Sequence, residues 1–245
     1  MQQKSVKGPL IKVCVFFALF FPLTLSLGFW QLDRAQEKAK MLEVQEKRSS
    51  QPSMILNLQK LENYSNYTFR GEYQSQSYLL DNRTRGGKAG YELLTVLTVA
   101  NGDSVLVNRG WLPAPRYRTE IPEIEIPKGA VALNAYYYLA KNETPVLKDD
   151  LGYQSIAWPK RVQSLDWEKI RRENQGSLVV GQFRLSDQQQ PGAYLADWPS
   201  PSVTPSKHTG YAVQWFALSV ALVLLSIFAC WRIVKDARID KSEVI

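Results

Sequence analysis

Two long apolar runs dominate the hydropathy pattern of the chain, one near each end. The first extends from Val13 to Trp30 and the second from Tyr211 to Trp231, and neither contains Asp, Glu, Lys or Arg. A helix of about 20 apolar residues is long enough to cross the hydrocarbon core of a bilayer. The pattern therefore predicts two transmembrane helices, with a polar segment of residues 31–210 between them.

Short strands are the main pattern within residues 31–210. They are rich in aromatic and β-branched residues and are separated by polar positions. We predict strands at Tyr67 to Tyr73, Ser77 to Asn82, Tyr91 to Val99, Ser104 to Asn108, Val131 to Leu139 and Leu178 to Leu185. Asn101-Gly102 tolerates positive φ, which favours a tight hairpin between the third and fourth of these strands.

One amphipathic helix is predicted between the last two strands, from Ser164 to Asn174. Ser164 is the expected N-cap, Asp166 and Glu168 lie in the first turns, and Gly176 is expected to stop the helix. The predicted fold class is thus a membrane protein with two transmembrane helices flanking an α+β domain. Its sheet is mainly antiparallel and could close into a small barrel.

Charged residues beside the apolar runs predict the orientation in the membrane. Excess Lys and Arg in short flanking segments marks the cytoplasmic side. Such residues are Lys4, Lys7 and Lys12 before the first run, and Arg232, Lys235, Arg238 and Lys241 after the second. We therefore expect a cytoplasmic N-tail (1–12), transmembrane helix 1 (13–30), a periplasmic β-rich domain (31–210), transmembrane helix 2 (211–231) and a cytoplasmic C-tail (232–245).

The net charge does not support nucleic-acid binding once it is divided by segment. The two tails carry a net charge of +4 out of the total of +7, because the basic residues named above are partly balanced by Asp236, Asp240 and Glu243. The +3 that remains is ordinary for a domain of this size. Only twelve residues precede the first apolar run, so no mitochondrial transit peptide is visible. A bacterial cell inner membrane is the simplest location.

The first apolar run has a second interpretation, as a cleaved signal peptide. Ser26-Leu27-Gly28 resembles a cleavage site after a basic segment and an apolar segment. However, the apolar run continues through Trp30 into Leu32 to Arg48, which is rich in helix-forming residues. A retained anchor whose helix continues beyond the membrane explains both features.

Residues able to carry out catalysis are scarce in this chain. The two cysteines, Cys14 and Cys230, lie within the apolar runs, and His208 is the single histidine. Zinc sites need several His or Cys ligands, and a serine hydrolase needs a histidine beside its nucleophile, for which no Gly-x-Ser-x-Gly turn exists. We therefore expect a protein that is not an enzyme.

His208 stands just before the second apolar run, and its chemistry allows two uses. A neutral imidazole there could be an axial ligand of a haem iron. His208, Tyr211, Ala212, Trp215 and Ser219 share one helical stripe that could hold a porphyrin. The same stripe could instead pack against the first span, where the small residues Thr24, Ser26 and Gly28 allow close approach.

Three ordered motifs resemble the surfeit-locus-one family of cytochrome c oxidase assembly factors. The first is Leu27 to Arg34 with Lys38; the middle one comprises Gly71, Arg83, Gly90 to Thr95 and Val105 to Pro113; the last is Pro205 to Phe216. The last motif departs in part, because the family often has Asn-Asn-His-Leu-Gln where this chain has Ser206-Lys207-His208-Thr209-Gly210.

The resemblance implies an assembly factor for haem-copper (cytochrome c) oxidase that assists the insertion of haem a into subunit I. It implies that His208 is the axial ligand of the haem iron. The implied partners are subunit I, the haem a synthesis machinery and membrane lipid. A haem-independent scaffold for oxidase subunits and a membrane-bound enzyme acting on haem or lipid stay open as alternatives.

Four arginines were further candidates for contact with haem propionates or an oxidase loop, since Arg pairs well with carboxylates. They are Arg83, Arg109, Arg116 and Arg118. Surface arginines more often face water.

Overall fold

The structure, a computed structural model, describes residues 7–140, 151–174, 177–198 and 204–242. These residues fall into two compact units, which we call the helix unit (7–43 with 204–242) and the sheet unit (44–198). Of the residues singled out above, Lys4 and Gly176 lie outside the described residues. The transmembrane boundaries 13–30 and 211–231 stay predictions, because the two units are defined by contacts within the chain and not by a position in a bilayer.

Two long helices contain the predicted spans. Helix α1 is Lys7–Ser49 and helix α3 is Pro205–Ser242. Each holds a window of 18 residues long and apolar enough to cross a membrane, of which 0% in α1 and 6% in α3 is buried. A core helix of a soluble protein would be mostly buried, whereas these helices expose side chains such as Leu19 and Leu225. The two helices therefore have the surface that lipid requires.

The sheet unit contains seven strands and a short helix among its described residues. The strands are β1 Met54–Ile55, β2 Asn66–Arg85, β3 Lys88–Val99, β4 Ser104–Pro113, β5 Ala130–Tyr138, β6 Lys160–Val162 and β7 Leu178–Leu185. A single 3-10 turn, Leu151–Gln154, and helix α2, Trp167–Glu173, lie between β5 and β7. The predicted hairpin at Asn101-Gly102 is confirmed, since β3 and β4 pair on either side of it and Gly102 has the expected positive φ, 89°.

The sheet is mixed, where the sequence pattern predicted mainly antiparallel pairing. The pairs β2–β3, β2–β5, β3–β4 and β5–β7 are antiparallel, while β1–β2, β2–β6 and β4–β7 are parallel. Parallel neighbours need a long crossover connection. The 64 residues between the end of β4 and the start of β7 supply one, and hydropathy alone does not reveal which strands such a connection brings together.

Strand β2 is one strand where two were predicted. Its register against β3 shifts between Tyr73 and Ser77, where three residues on β2 oppose one on β3. A second shift lies near Asn82, whose φ is 59°. The polar residues 74–76 therefore form a bulge within a continuous strand and not a turn between two strands.

Helix α2 begins later than predicted. Asp166 is its N-cap, because the Asp166 carboxylate accepts a hydrogen bond from the Lys169 amide at 3.1 Å. The expected cap, Ser164, instead uses its carbonyl to accept a hydrogen bond from the Tyr153 hydroxyl at 2.8 Å. Both residue types favour the cap position, and the tyrosine contact decides between them.

Buried apolar side chains of the sheet unit form three clusters among the described residues. The largest surrounds Phe183, whose ring packs edge-on against Phe69 at 5.2 Å between centroids. The others surround Tyr78 and Leu79, neighbours on β2 that point to opposite faces. The central part of β2 is therefore buried on both sides, which explains its run of apolar residues.

Candidate functional site

Helices α1 and α3 pack through a stripe of small and polar residues. The Ser219 hydroxyl donates a hydrogen bond to the Thr24 oxygen at 2.8 Å. A Cβ atom added at Gly28 would lie 2.5 Å from the Phe216 ring, so this glycine allows the close approach of the helices. Because higher numbers on α1 meet lower numbers on α3, the two helices are antiparallel.

His208 lies in the first turn of α3 and contacts α1 through one hydrogen bond. The His208 Nδ1 and Gln31 Oε1 atoms are 2.8 Å apart, and both side chains are half-buried. An amide oxygen can only accept a hydrogen bond, so in this arrangement Nδ1 carries the proton. When the imidazole is neutral, this arrangement leaves the lone pair on Nε2.

The Nε2 atom of His208 is available to a ligand. Within the described part of the chain, no residue forms a hydrogen bond with it. Tyr211, in the same turn, is 49% exposed.

The donor set suits an iron that already has most of its ligands. No group of three or more His, Cys, Asp or Glu residues among the described residues could hold a metal ion. One imidazole cannot build a metal site by itself, whereas a porphyrin supplies four nitrogens and needs only an axial ligand. A neutral histidine with a free Nε2 therefore fits haem and does not fit a bare ion.

The predicted stripe on α3 was expected either to hold a porphyrin or to pack against the first span. Ala212 and Ser219 are buried, at 1% and 3% exposure, and Ser219 bonds α1 directly. Thr24 and Gly28 take part in packing as predicted, whereas Ser26 is exposed. The packing use is thus present in the helix pair, and His208 beside it is half-buried.

The four candidate arginines make separate contacts in the sheet unit. Arg118 pairs with Asp81 at 2.5 Å, and Arg116 lies over the Tyr117 ring at 5.6 Å. Arg83 lies 4.0 Å from a Glu92 carboxylate oxygen. Arg109 is only 1% exposed. The structure does not assemble the four into one anion site.

Arg109 belongs to the core of the sheet unit. Its guanidinium donates hydrogen bonds to the Gly192 carbonyl at 2.7 Å and the Glu125 carbonyl at 2.6 Å. It also lies between the Tyr73 and Tyr194 rings, at 5.1 and 5.3 Å. Burial lowers the pKa of Arg109 and raises the pKa of Tyr73 to about 12. These contacts leave Arg109 no free face for a haem propionate.

Glu92 is the centre of a polar network that the sequence did not single out for a role. It is 5% exposed and accepts a hydrogen bond from Asn108 at 2.8 Å. The side chains of Arg85 and Arg184 approach its carboxylate at 3.5 and 3.8 Å. Asn108 also donates to Gln182 at 2.7 Å. In the sequence, Glu92 stood within the middle motif and within an apolar strand, and the network gives that buried charge its partners.

The sheet unit also carries an open cavity of about 660 Å³. It is lined by the segment Ile55 to Gln59, by Thr68 to Arg70 on β2 and by residues from Val99 to Asp103. Its lining includes the charged residues Arg70 and Asp103 and no histidine, so this cavity is separate from the candidate ligand His208.

Comparison with known proteins identifies the family. The family model described as "SURF1 family" matches residues 18–220, which is more than half of the chain. A "SURF1-like protein" of Monosiga brevicollis is 23% identical over 84% of this chain and 83% of its own length. A "SURF1-like protein" of Rickettsia felis is 30% identical over 41% of this chain and 46% of its own length. "Surfeit locus protein 1" of Arabidopsis thaliana is 34% identical over 39% of this chain and 32% of its own length. The chain belongs to the SURF1 family.

Proposed function

We propose that this protein is an assembly factor for haem-copper (cytochrome c) oxidase. In this role it binds haem a as cargo through His208 and assists its insertion into subunit I. Membership of the SURF1 family supports the assembly role, through the resemblance described above. The observation that carries the haem-binding role is the hydrogen bond between Nδ1 of His208 and Gln31, which in the neutral imidazole puts the lone pair on Nε2, an atom without a partner among the described residues.

The role that follows is binding and not catalysis. Haem a brings its own iron and four ring nitrogens, and His208 supplies one further ligand to that iron. The isoprenoid tail of haem a is apolar, and α1 and α3 expose apolar side chains along their length that suit lipid and such a tail. The proposed partners are therefore oxidase subunit I, the haem a synthesis machinery and membrane lipid.

We place the protein in a bacterial cell inner membrane, with both tails in the cytoplasm and the sheet unit in the periplasm. The basic residues beside the two spans support this orientation. We also propose that the sheet closes as a small barrel. Support comes from β5, which pairs with β7 along one edge and with β2 along the other.

The test is the visible spectrum of the protein purified in mild detergent from cells that make haem a. We expect a haem a band with the native chain and its loss in His208→Ala. Thr209→Ala, at the exposed neighbour of His208, is the matched control and should retain the band. In His208→Gly, imidazole added to the solution should restore the band, because it occupies the position of the missing ring.

A haem a band that is equally strong in His208→Ala would contradict the haem ligand. If neither protein has a band while subunit I copurifies with both, the protein is a haem-independent scaffold. Turnover of added haem or lipid would indicate the enzyme alternative.

A further inference from the structure

We propose that Gln31 is the positioning residue of His208, and that its amide oxygen selects the tautomer able to bind iron. This inference deepens the proposed function and rests on it for the identity of the ligand. The observation behind it is the 2.8 Å contact between Gln31 Oε1 and His208 Nδ1.

The tautomer decides whether His208 can act as a ligand. A neutral imidazole carries its proton on Nδ1 or on Nε2, and only the nitrogen without a proton can bind a metal. The Gln31 oxygen accepts a hydrogen bond from Nδ1–H, which favours the neutral tautomer with its lone pair on Nε2. The outer nitrogen is therefore prepared before any cargo arrives, and no proton has to be displaced on binding.

Gln31 is held in place by the packing of the two helices. Thr24, Gly28 and Gln31 are spaced by four and three residues, so they lie on one face of α1. Their contacts on α3 are Ser219, Phe216 and His208 in the same order. The Gln31–His208 bond thus continues this stripe, and the register of the helix pair sets its geometry.

The chemistry of the acceptor suits a cargo that must be released. A carboxylate that accepts the Nδ1 proton makes the imidazole a more basic and stronger ligand. A neutral amide orients the ring but donates less electron density through it. Glutamine at this position therefore combines a fixed tautomer with moderate ligand strength, and glutamate would favour retention of the haem.

The first test uses the single histidine of the chain. Labelling with ¹⁵N-histidine in a protein without a histidine tag gives one pair of imidazole nitrogens, whose chemical shifts report the tautomer. In the ligand-free protein at alkaline pH, we expect the Nδ1–H form in the native chain and a mixture of both forms in Gln31→Leu. The matched control is Gln36→Leu, since Gln36 is an exposed glutamine of the same helix.

The second test uses protein loaded with haem a. We expect Gln31→Leu to bind haem a about ten-fold to 100-fold more weakly, the usual effect of losing such a partner. Gln31→Glu should bind more tightly, with a lower reduction potential of the iron and slower transfer to haem-free oxidase subunit I. Gln36→Leu should match the native chain in each of these properties.

The two proposals fail in different ways. An Nε2–H tautomer in the native chain, or a tautomer unchanged in Gln31→Leu, would overturn the role of Gln31 even if haem a binds through His208. An Nδ1–H tautomer that depends on Gln31 in a protein that never binds haem a would support the positioning contact and overturn the haem-binding function.

Discussion

At the scale of single residues, Arg109 shows how a family motif can serve the fold instead of the site. Its guanidinium donates hydrogen bonds to the backbone carbonyls of Gly192 and Glu125, while the side chain itself is buried. A surface arginine was the expectation, because sequence gives no direct measure of burial for a charged residue at the end of a strand. The two carbonyl acceptors and the two tyrosine rings around Arg109 explain why a large cation is present within a core.

Replacing Arg109 should therefore destabilise the sheet unit without any direct effect on His208. In Arg109→Leu, the Gly192 and Glu125 carbonyls lose their donors, and we expect a loss of roughly 2–6 kcal/mol in the free energy of unfolding. Urea unfolding of the full chain in detergent, followed by tryptophan fluorescence, measures it. Arg116→Leu is the control at an exposed arginine, and equal stability of the two variants would contradict the structural role.

Burial of the Tyr73 phenol should lower the free energy of unfolding at alkaline pH. Burial raises its pKa to about 12 from the ordinary value of 10.0, so between these values the unfolded state loses a proton that the folded state keeps. The contribution is fully present below pH 10 and decreases as pH rises toward about 12, by about 3 kcal/mol in total. Burial raises the pKa of Tyr136 and Tyr137 in the same direction.

The measurement is the free energy of unfolding across that pH window in the native chain and in Tyr73→Phe. We expect the decline with pH to be shallower in Tyr73→Phe but still present, because the other buried tyrosines remain. Tyr117→Phe removes an exposed phenol and serves as the matched control. An identical pH slope in the native chain and Tyr73→Phe would refute the assignment.

Of the two residues that form the candidate site, the sequence alone identified one. His208 was identified from its position and from the family motif, since it is the single histidine of the chain. Its partner Gln31 also lies in a recognised motif, but 177 residues away. Only the register of two packed helices connects them, and helical periodicity alone does not give that register.

At the scale of elements, the predictions succeeded where one local signal dominates. Uninterrupted apolar runs predicted α1 and α3, and the Asn101-Gly102 turn predicted the hairpin of β3 and β4. They failed where tertiary contacts decide, as at the bulge in β2 and the N-cap of α2. The short strands β1 and β6, with two and three residues, have too little sequence to carry a pattern.

The packing of α1 against α3 should depend on Gly28. A leucine there would meet the Phe216 ring, which lies 2.5 Å from an added Cβ, and would push the helices apart. Cysteines at Thr24 and Ser219, whose oxygens are 2.8 Å apart, report this contact by disulfide formation once Cys14 and Cys230 are changed to Ala. We expect a high cross-linking yield that falls strongly when Gly28→Leu is added.

Gly8→Leu is the control for that experiment, because a Cβ at Gly8 meets no atom within 4 Å. It changes the same residue type in the same helix and should leave the yield unchanged. A yield that is equally high with Gly28→Leu would show that the helices do not need the close approach.

At the scale of the whole molecule, the helix unit and the sheet unit differ in where they place their apolar residues. The two helices expose apolar side chains, whereas the sheet unit buries its apolar residues in three clusters among the described residues. One chain thus joins a part suited to lipid to a part suited to water. The family adds the proposed purpose, which neither hydropathy nor topology supplies.

Labelling can test the proposed orientation of the chain in the membrane. In a background with Cys14→Ala and Cys230→Ala, Ile156→Cys places a thiol on the sheet unit at a site 95% exposed, and Lys235→Cys places one beyond the second span. Because basic flanking residues stay in the cytoplasm, a membrane-impermeant maleimide should label Ile156→Cys in intact spheroplasts. It should label Lys235→Cys only after the membrane is permeabilised. The reverse pattern would invert the orientation, and a mature chain that begins after Gly28 would show that the first span is a cleaved signal peptide.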